Sequence, residues 1–340
     1  VTTTVRVSLL EGGALQRGDA ALIDAWRAGG EGRLWVDIQD PDQATLEPLL
    51  EQRFGFHELA AEDSLSENTL PKYDPFAEYD FFVFRAVDLN IHEHGSCTYK
   101  LAAFLGRDFL FTIHAGTMAP VDNVYNRLAS DKRVLANGPD FLLYTIVDQM
   151  VDAHFPLLDN IEEVVDELQD AIFKNAQPSH LDELMHLKRD INVLRRQSLP
   201  QRELLNQISR GDAQFVQRQH LIYFRDVYDH MFRISETIDV ERDLMSGTME
   251  AYLSVIANRT NEIMRVLTVL STVLMPMTVI GGIYGMNFDH IPELHWLRGY
   301  PFALGLMALS AAGMLLWFRS KGWIARPAEN PQRSKRRKRL

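Results

Sequence analysis

The chain has 340 residues, 46 acidic against 35 basic side chains, and a formal net charge of −11. That balance argues against nucleic acid as a partner and suits a protein that concentrates cations. The lone Cys97 excludes an intrachain disulfide and a cysteine-built zinc centre, and it fits a reducing compartment.

Val1–Leu10 is short and alternating, without the basic start of a secretory leader, so no signal peptide is expected. Residues 1–140 read as a mixed α/β domain. Val5–Leu10, Leu34–Ile38, Tyr79–Leu89, Thr98–Leu105 and Phe109–His114 are runs rich in aromatic and β-branched residues, as strands require. Pro41–Phe54 and Asp122–Leu135 have helical spacing. No glycine loop of the phosphate-cradling kind is present, and no nucleophile–base grouping follows from spacing, so an enzyme is not expected.

Residues 141–212 predict a helical hairpin. Phe141–Phe173 is one helix, Gln177-Pro178-Ser179 breaks it, and His180–Arg210 is a second helix interrupted at Pro200. The first carries Asp148, Asp152, Asp159, Glu162, Glu163, Asp166, Glu167 and Asp170. The second carries Lys188, Arg189, Arg195, Arg196 and Arg202. Opposite charge predicts antiparallel pairing of the two. A functional alternative is that the acidic helix attracts hydrated cations.

From Ala213 one helical pattern continues to Tyr284, with apolar residues such as Val227, Met231, Ile234, Ile238 and Met245 at steps of three and four, and with gaps at Glu241 and near Arg259. Such a seam predicts a continuous helix that packs against copies of itself. Its first part, 213–263, is a stalk. Its last part, 264–284, is ~21 residues with a single charge, Arg265; Tyr300–Phe318 is ~19 residues with none. Each is long enough to cross a bilayer, so 264–284 and 300–318 form a membrane hairpin around the loop 285–299. Nine basic residues in the tail 319–340, with Arg259 and Arg265 before the first span, place both termini in the cytoplasm and Asn287 outside, in an inner or plasma membrane. Beside a membrane, the basic tail reads as a topology signal that meets anionic lipid.

One hairpin encloses no pore, so several copies must line it. The first span is the better lining, because Asn261, Thr268, Ser271 or Thr272, and Thr278 recur at helical spacing. The plainer reading is that Ser and Thr hydroxyls bond back to their own helix. The second span is apolar with small residues and suits a lipid-facing ring. Pro276 either frees a backbone carbonyl or bends the helix. His290 and His295 in the loop are a weak zinc signal without a third ligand.

Tyr284-Gly285-Met286-Asn287 at the end of the first span, then Ile291-Pro292-Glu293-Leu294, resembles the CorA family of divalent-cation channels, with Ile291 where the family usually has Met. Phe56–Pro75 is similar to the family's segment that bears an acidic pair, with Glu58 in place of a proline. Tyr223–His230 is similar to its stalk motif. The resemblance implies an α+β fold: an N-terminal cytoplasmic α/β/α domain, a long helical stalk and two C-terminal transmembrane helices, in a funnel-shaped homopentamer. It implies a selectivity filter at Gly285, Met286 and Asn287, and pore-lining positions at Asn261, Met264, Leu267, Met275 and Thr278. Asp289 and Glu293 would attract cations to the outer mouth. Glu62, Asp63 and Asp226 would hold a regulatory cytoplasmic Mg²⁺ between subunits. The expected cargo is Mg²⁺ and Co²⁺, with Ni²⁺ as a further one. A zinc transporter of the ZntB type and a membrane-anchored cation sensor without conduction are the alternatives.

Overall fold

The computed structural model describes residues 3–29, 31–43, 46, 48–87, 98–287 and 296–324. The chain divides into two units, Val1–Glu250 and Ala251–Leu340.

The first unit is built on a seven-stranded sheet. Its strands are β1 (Thr4–Glu11), β2 (Ala14–Gly18), β3 (Arg33–Gln39), β4 (Lys72–Pro75), β5 (Asp80–Val87), β6 (Thr98–Leu105) and β7 (Phe109–His114), in the order β2-β1-β3-β7-β6-β5-β4. Only β3 and β7 pair in parallel. β5 reads DFFVFRAV, and seven of its eight residues are buried, so both faces of the sheet must be covered. On one face Phe81 and Val83 join Leu34, Val36, Phe104 and Phe111. The helix α1 (Ala21–Gly29) and a π-helical turn, Pro48–Arg53, contribute Ile23, Leu49 and Leu50 to the same cluster. Phe56 stacks on Phe104 there with ring centroids 4.4 Å apart.

Within the helix that the sequence predicts over Pro41–Phe54, residues 48–53 form this π turn, with Gln43 and Leu46 before it and Phe54 after it α-helical. β2, α1 and β4 have no counterpart among the sequence expectations. A two-residue turn and short amphipathic segments leave little periodic signal.

The other helices are α2 (Glu58–Leu65), α3 (Ala119–Leu128), α4 (Arg133–Ala136), α5 (Pro139–Asp152), α6 (His154–Asn175), α7 (Pro178–Arg210), α8 (Leu221–Tyr284) and α9 (Gly299–Ser320). They depart from the sequence reading in four places. The helix expected over Asp122–Leu135 is two, because Asp131 turns the chain and its carboxylate accepts from the Arg133 backbone and guanidinium. Phe141–Phe173 is also two. Pro156 has no N–H for the carbonyl of Asp152, and His154 Nδ1 bonds the carbonyls of Met150 and Val151 at 3.1 Å each.

By contrast α7 continues unbroken through Pro200 to Gly211, whose φ of 86° is the left-handed cap that ends it. Finally, α8 begins at Leu221 rather than Ala213. Two buried carboxylates hold the connector instead: Asp80 accepts from Phe215 N at 2.8 Å, and Asp140 accepts from Gln217 N at 2.9 Å and lies 2.6 Å from His220 Nδ1.

Within this unit the direction of the helices follows from pairs along them. Asp152, which ends α5 just before α6 begins, meets His230, and Gln169 on α6 meets Thr248, so α6 runs parallel to α8. Arg195 Nε on α7 donates to Asp239 on α8 at 2.6 Å, and Tyr73 on β4 donates to Asp212 just past the end of α7, so α7 runs against them. Arg195 was expected to balance the acidic α6 and is instead paired with α8.

In the second unit α8 continues to Tyr284, and α9 follows. Both helices carry stretches long and apolar enough to cross a membrane, and the apolar window of α8 is unburied.

Candidate ion pathway and cation sites

At ~100° per residue, Asn261, Met264, Leu267, Thr268, Ser271, Met275 and Thr278 fall within one sector of roughly 120° on α8. The sector is open: Met264 is 55 % exposed, Leu267 54 % and Met275 67 %. The helix stays continuous through Pro276. Thr268 and Thr278 donate to the carbonyls of Met264 and Leu274 at 2.7 and 3.0 Å. Their hydroxyls thus bond back to their own helix, which leaves an oxygen lone pair on each as the outward-facing polar element.

Gly285 closes the helix: its N–H donates to the carbonyl of Gly281 at 3.0 Å. A Cβ at Gly285 would lie 2.9 Å from that carbonyl oxygen, so only glycine keeps this geometry. Met286 donates to the Ile283 carbonyl at 3.3 Å, and both Met286 and Asn287 are exposed. Asp289 and Glu293 lie outside the described residues, as do His290 and His295.

Glu62 and Asp63 sit on α2, which is held at both ends. His57 Nδ1 accepts from Leu59 N at its start. At its end Lys100 Nζ donates to the carbonyls of Asp63, Ser64 and Ser66 at 2.8, 2.6 and 2.7 Å. Burial, with Arg85 nearby, pushes Lys100 down to about 8. Cationic donors at a helix C-terminus also suit its dipole. Asp63 itself pairs with Lys72, whose Nζ is 2.6 Å from Oδ2.

Asp226, on α8, is 67 % exposed and lies 4.0 Å from His230 Nε2. Within one chain, then, Asp63 and Asp226 have different partners. The exposed Asp226 carboxylate suits a hard cation. Asp63 suits one only if Lys72 gives way.

One grouping was not predicted. Asp148, Asp152 and His230 bring ligand atoms within 4.8 Å of one another, the one such group among the described residues. His230 Nδ1 is 3.2 Å from Asp152 and its Nε2 faces Asp226, so one imidazole stands between two carboxylates. Burial first, then the charge of Asp152, pushes Asp148 above its ordinary value. Burial, with Asp148 and Asp226 beside it, raises Tyr144 to about 12. The signal in the sequence was two i, i+4 pairs, Asp148/Asp152 and Asp226/His230, on helices whose pairing no periodicity reveals.

The family described as CorA-like Mg²⁺ transporter protein matches residues 30–320. The chain is 38 % identical over 290 residues to the putative metal ion transporter YfjQ of Bacillus subtilis, covering 85 % of this chain and 89 % of that one. It is 34 % identical over 293 residues to the cobalt/magnesium transport protein CorA of Thermotoga maritima, covering 85 % and 83 %. Among solved structures, the complete CorA magnesium transporter of Methanocaldococcus jannaschii superimposes with a TM-score of 0.82 at 21 % identity, covering 95 % of this chain and all of that one. The cytoplasmic domain of ZntB from Vibrio parahaemolyticus gives 0.59 at 15 % identity over 75 % of this chain and 98 % of that one. The N-terminal α/β domain, the long helix and the two apolar C-terminal helices are therefore those of a membrane transporter, and the chain belongs to the CorA-like Mg²⁺ transporter family.

Proposed function

We propose that the protein is a homopentameric channel for Mg²⁺ and Co²⁺ influx, with Ni²⁺ as a further cargo. The observation that carries this is the open sector of α8, on which Asn261, Met264, Leu267, Met275 and Thr278 line up and which ends at Gly285, Met286 and Asn287. A ring of such sectors would present amide and carbonyl oxygens at the filter and apolar rings below it. Mg²⁺ sheds water reluctantly, so neutral oxygens that accept from its hydration shell would select it without holding it. The Met264, Leu267 and Met275 rings would oppose a hydrated ion and close the path by dewetting.

Positive charge flanking the spans supports an arrangement with both termini in the cytoplasm, Asn287 outside, and Asp289 and Glu293 at the outer mouth. The spans, the loop and the basic tail keep the boundaries given above, and the stalk helix starts at Leu221.

Regulation follows from the acidic groups. Cytoplasmic Mg²⁺ between Glu62 or Asp63 of one subunit and Asp226 of the next would cancel their repulsion and hold the ring closed. When Mg²⁺ falls, repulsion would favour opening. Mg²⁺ and Zn²⁺ flux into liposomes holding the purified protein tests the reading. Mg²⁺ flux that stops as internal Mg²⁺ rises, and that no longer stops in D63N/D226N, supports it. Zn²⁺ flux without Mg²⁺ flux would assign a ZntB-type transporter. Flux of neither ion would leave a cation sensor.

A further inference from the structure

Glu241 on α8 is a buried carboxylate without a counter-charge. It is 3 % exposed, and its Oε2 has no hydrogen-bond partner. Burying a carboxylate is unfavourable unless a cation or donors replace its water. The cations nearby are committed elsewhere. Arg195 from α7 is held by Asp239 at 2.6 Å, and Arg242 by Asp243 at 2.8 Å, with Asp239 at 3.7 Å. Among the described residues no cation pairs with Glu241.

What faces Glu241 from α6 is more negative charge. The contact Gln169–Thr248 at 2.7 Å, with Asp152–His230 at 3.2 Å just before α6 begins, fixes the parallel register of the two helices. Glu241 is then level with the stretch around residue 163, between Glu162 and Asp166. Those two carboxylates are one turn apart and exposed. After burial itself, they are what raises the pKa of Glu241.

We propose that Glu241, Glu162 and Asp166 form a site for a hydrated divalent cation of the Mg²⁺ class that ties α6 to α8. Such an ion keeps several of its waters. Glu241 supplies one direct oxygen, and the exposed pair takes the ion's waters and marks its entry. A proton alone would neutralise Glu241 but leave Glu162 and Asp166 facing each other uncompensated. A divalent ion offsets two of the group's three negative charges. The site is about three turns further along α8 than the Asp148–Asp152–His230 group, and it stands or falls independently of the conduction reading.

The test is hydrogen exchange of α6 in the full-length protein in lipid nanodiscs, at pH 7.5, in EDTA and with added Mg²⁺. A D63N/D148N/D226N background removes at least one carboxylate from each of the other acidic groups. Mg²⁺ is expected to slow exchange between Ile161 and Gln169 by roughly tenfold, the range of local opening equilibria. The slowing should vanish in E241Q and in E162Q/D166N, the latter changing only exposed side chains and so leaving the fold intact. No Mg²⁺ effect, or one that survives both variants, would overturn the site. Protection on acidification to pH 5.5 in EDTA, with none from Mg²⁺ at pH 7.5, would also overturn it and make Glu241 a proton site.

Discussion

Lys72 Nζ lies 2.6 Å from Asp63 Oδ2 and 2.5 Å from Asp74 Oδ2, so a lysine of the same chain occupies the carboxylate that the regulatory reading assigns to Mg²⁺. Burial alone would lower Lys72, but its bonds to Asp63 and Asp74 outweigh that and raise it. The ammonium therefore stays charged across the physiological range, and Mg²⁺ must compete with it.

Lys72→Met should strengthen Mg²⁺-dependent closure. The pair is about one-third exposed, and such pairs are worth at most ~1 kcal/mol, which is roughly fivefold in affinity. The internal Mg²⁺ concentration that halves flux should drop by up to about that factor. A rise in that concentration would mean Lys72 positions Asp63 rather than competing for it.

Gly285→Ala tests the turn before Asn287. The new Cβ would meet the Gly281 carbonyl oxygen at 2.9 Å, so the backbone must shift where the filter begins. Because filter geometry is set by such backbone positions, Mg²⁺ flux should fall about tenfold or more. Circular dichroism should show unchanged helix content. Wild-type flux would show that the turn tolerates a side chain and that the filter lies elsewhere.

The pH dependence of the first unit should include a contribution from His154. Burial pushes this imidazole down to about 4, against a smaller opposing effect of its bonds to the Val151 and Met150 carbonyls. A histidine depressed in the folded state binds its proton more readily when unfolded. Its stabilising contribution is complete above its ordinary value of 6.5 and falls as pH drops from there towards 4. The slope is about 1.4 kcal/mol per unit in that window. His154→Gln should flatten the acid side of a melting-temperature profile between pH 6.5 and 4.5. An unchanged slope would place the proton uptake on another group.

The membrane hairpin and most of the sheet were legible because their signals are local. Met264–Tyr284 and Tyr300–Phe318 are apolar over the length a bilayer demands, and Asp80–Val87 is rich in aromatic and β-branched residues. The end of one helix at Asp152 was hidden because it depends on Pro156 and on a side-chain bond from His154. The start of α8 was hidden because Asp80 and Asp140 reach the connector across more than 70 residues. Pro200 misled in the other direction: α7 accommodates it without breaking. Among the candidate cation groups, Asp63 and Asp226 were singled out by motif. The Asp148–Asp152–His230 cluster and Glu241 were not, since each needs the parallel register of α6 and α8, which Gln169–Thr248 fixes and no spacing announces.

The most direct test of the account is Mg²⁺ flux into liposomes at low internal Mg²⁺ for the wild type and for Asn287→Ala. The substitution leaves α8 intact, because Asn287 is exposed beyond its last residue, Tyr284. Robust wild-type flux reduced to background in the variant is the result predicted for a channel whose filter is the ring of Asn287. Wild-type flux retained in the variant would contradict it.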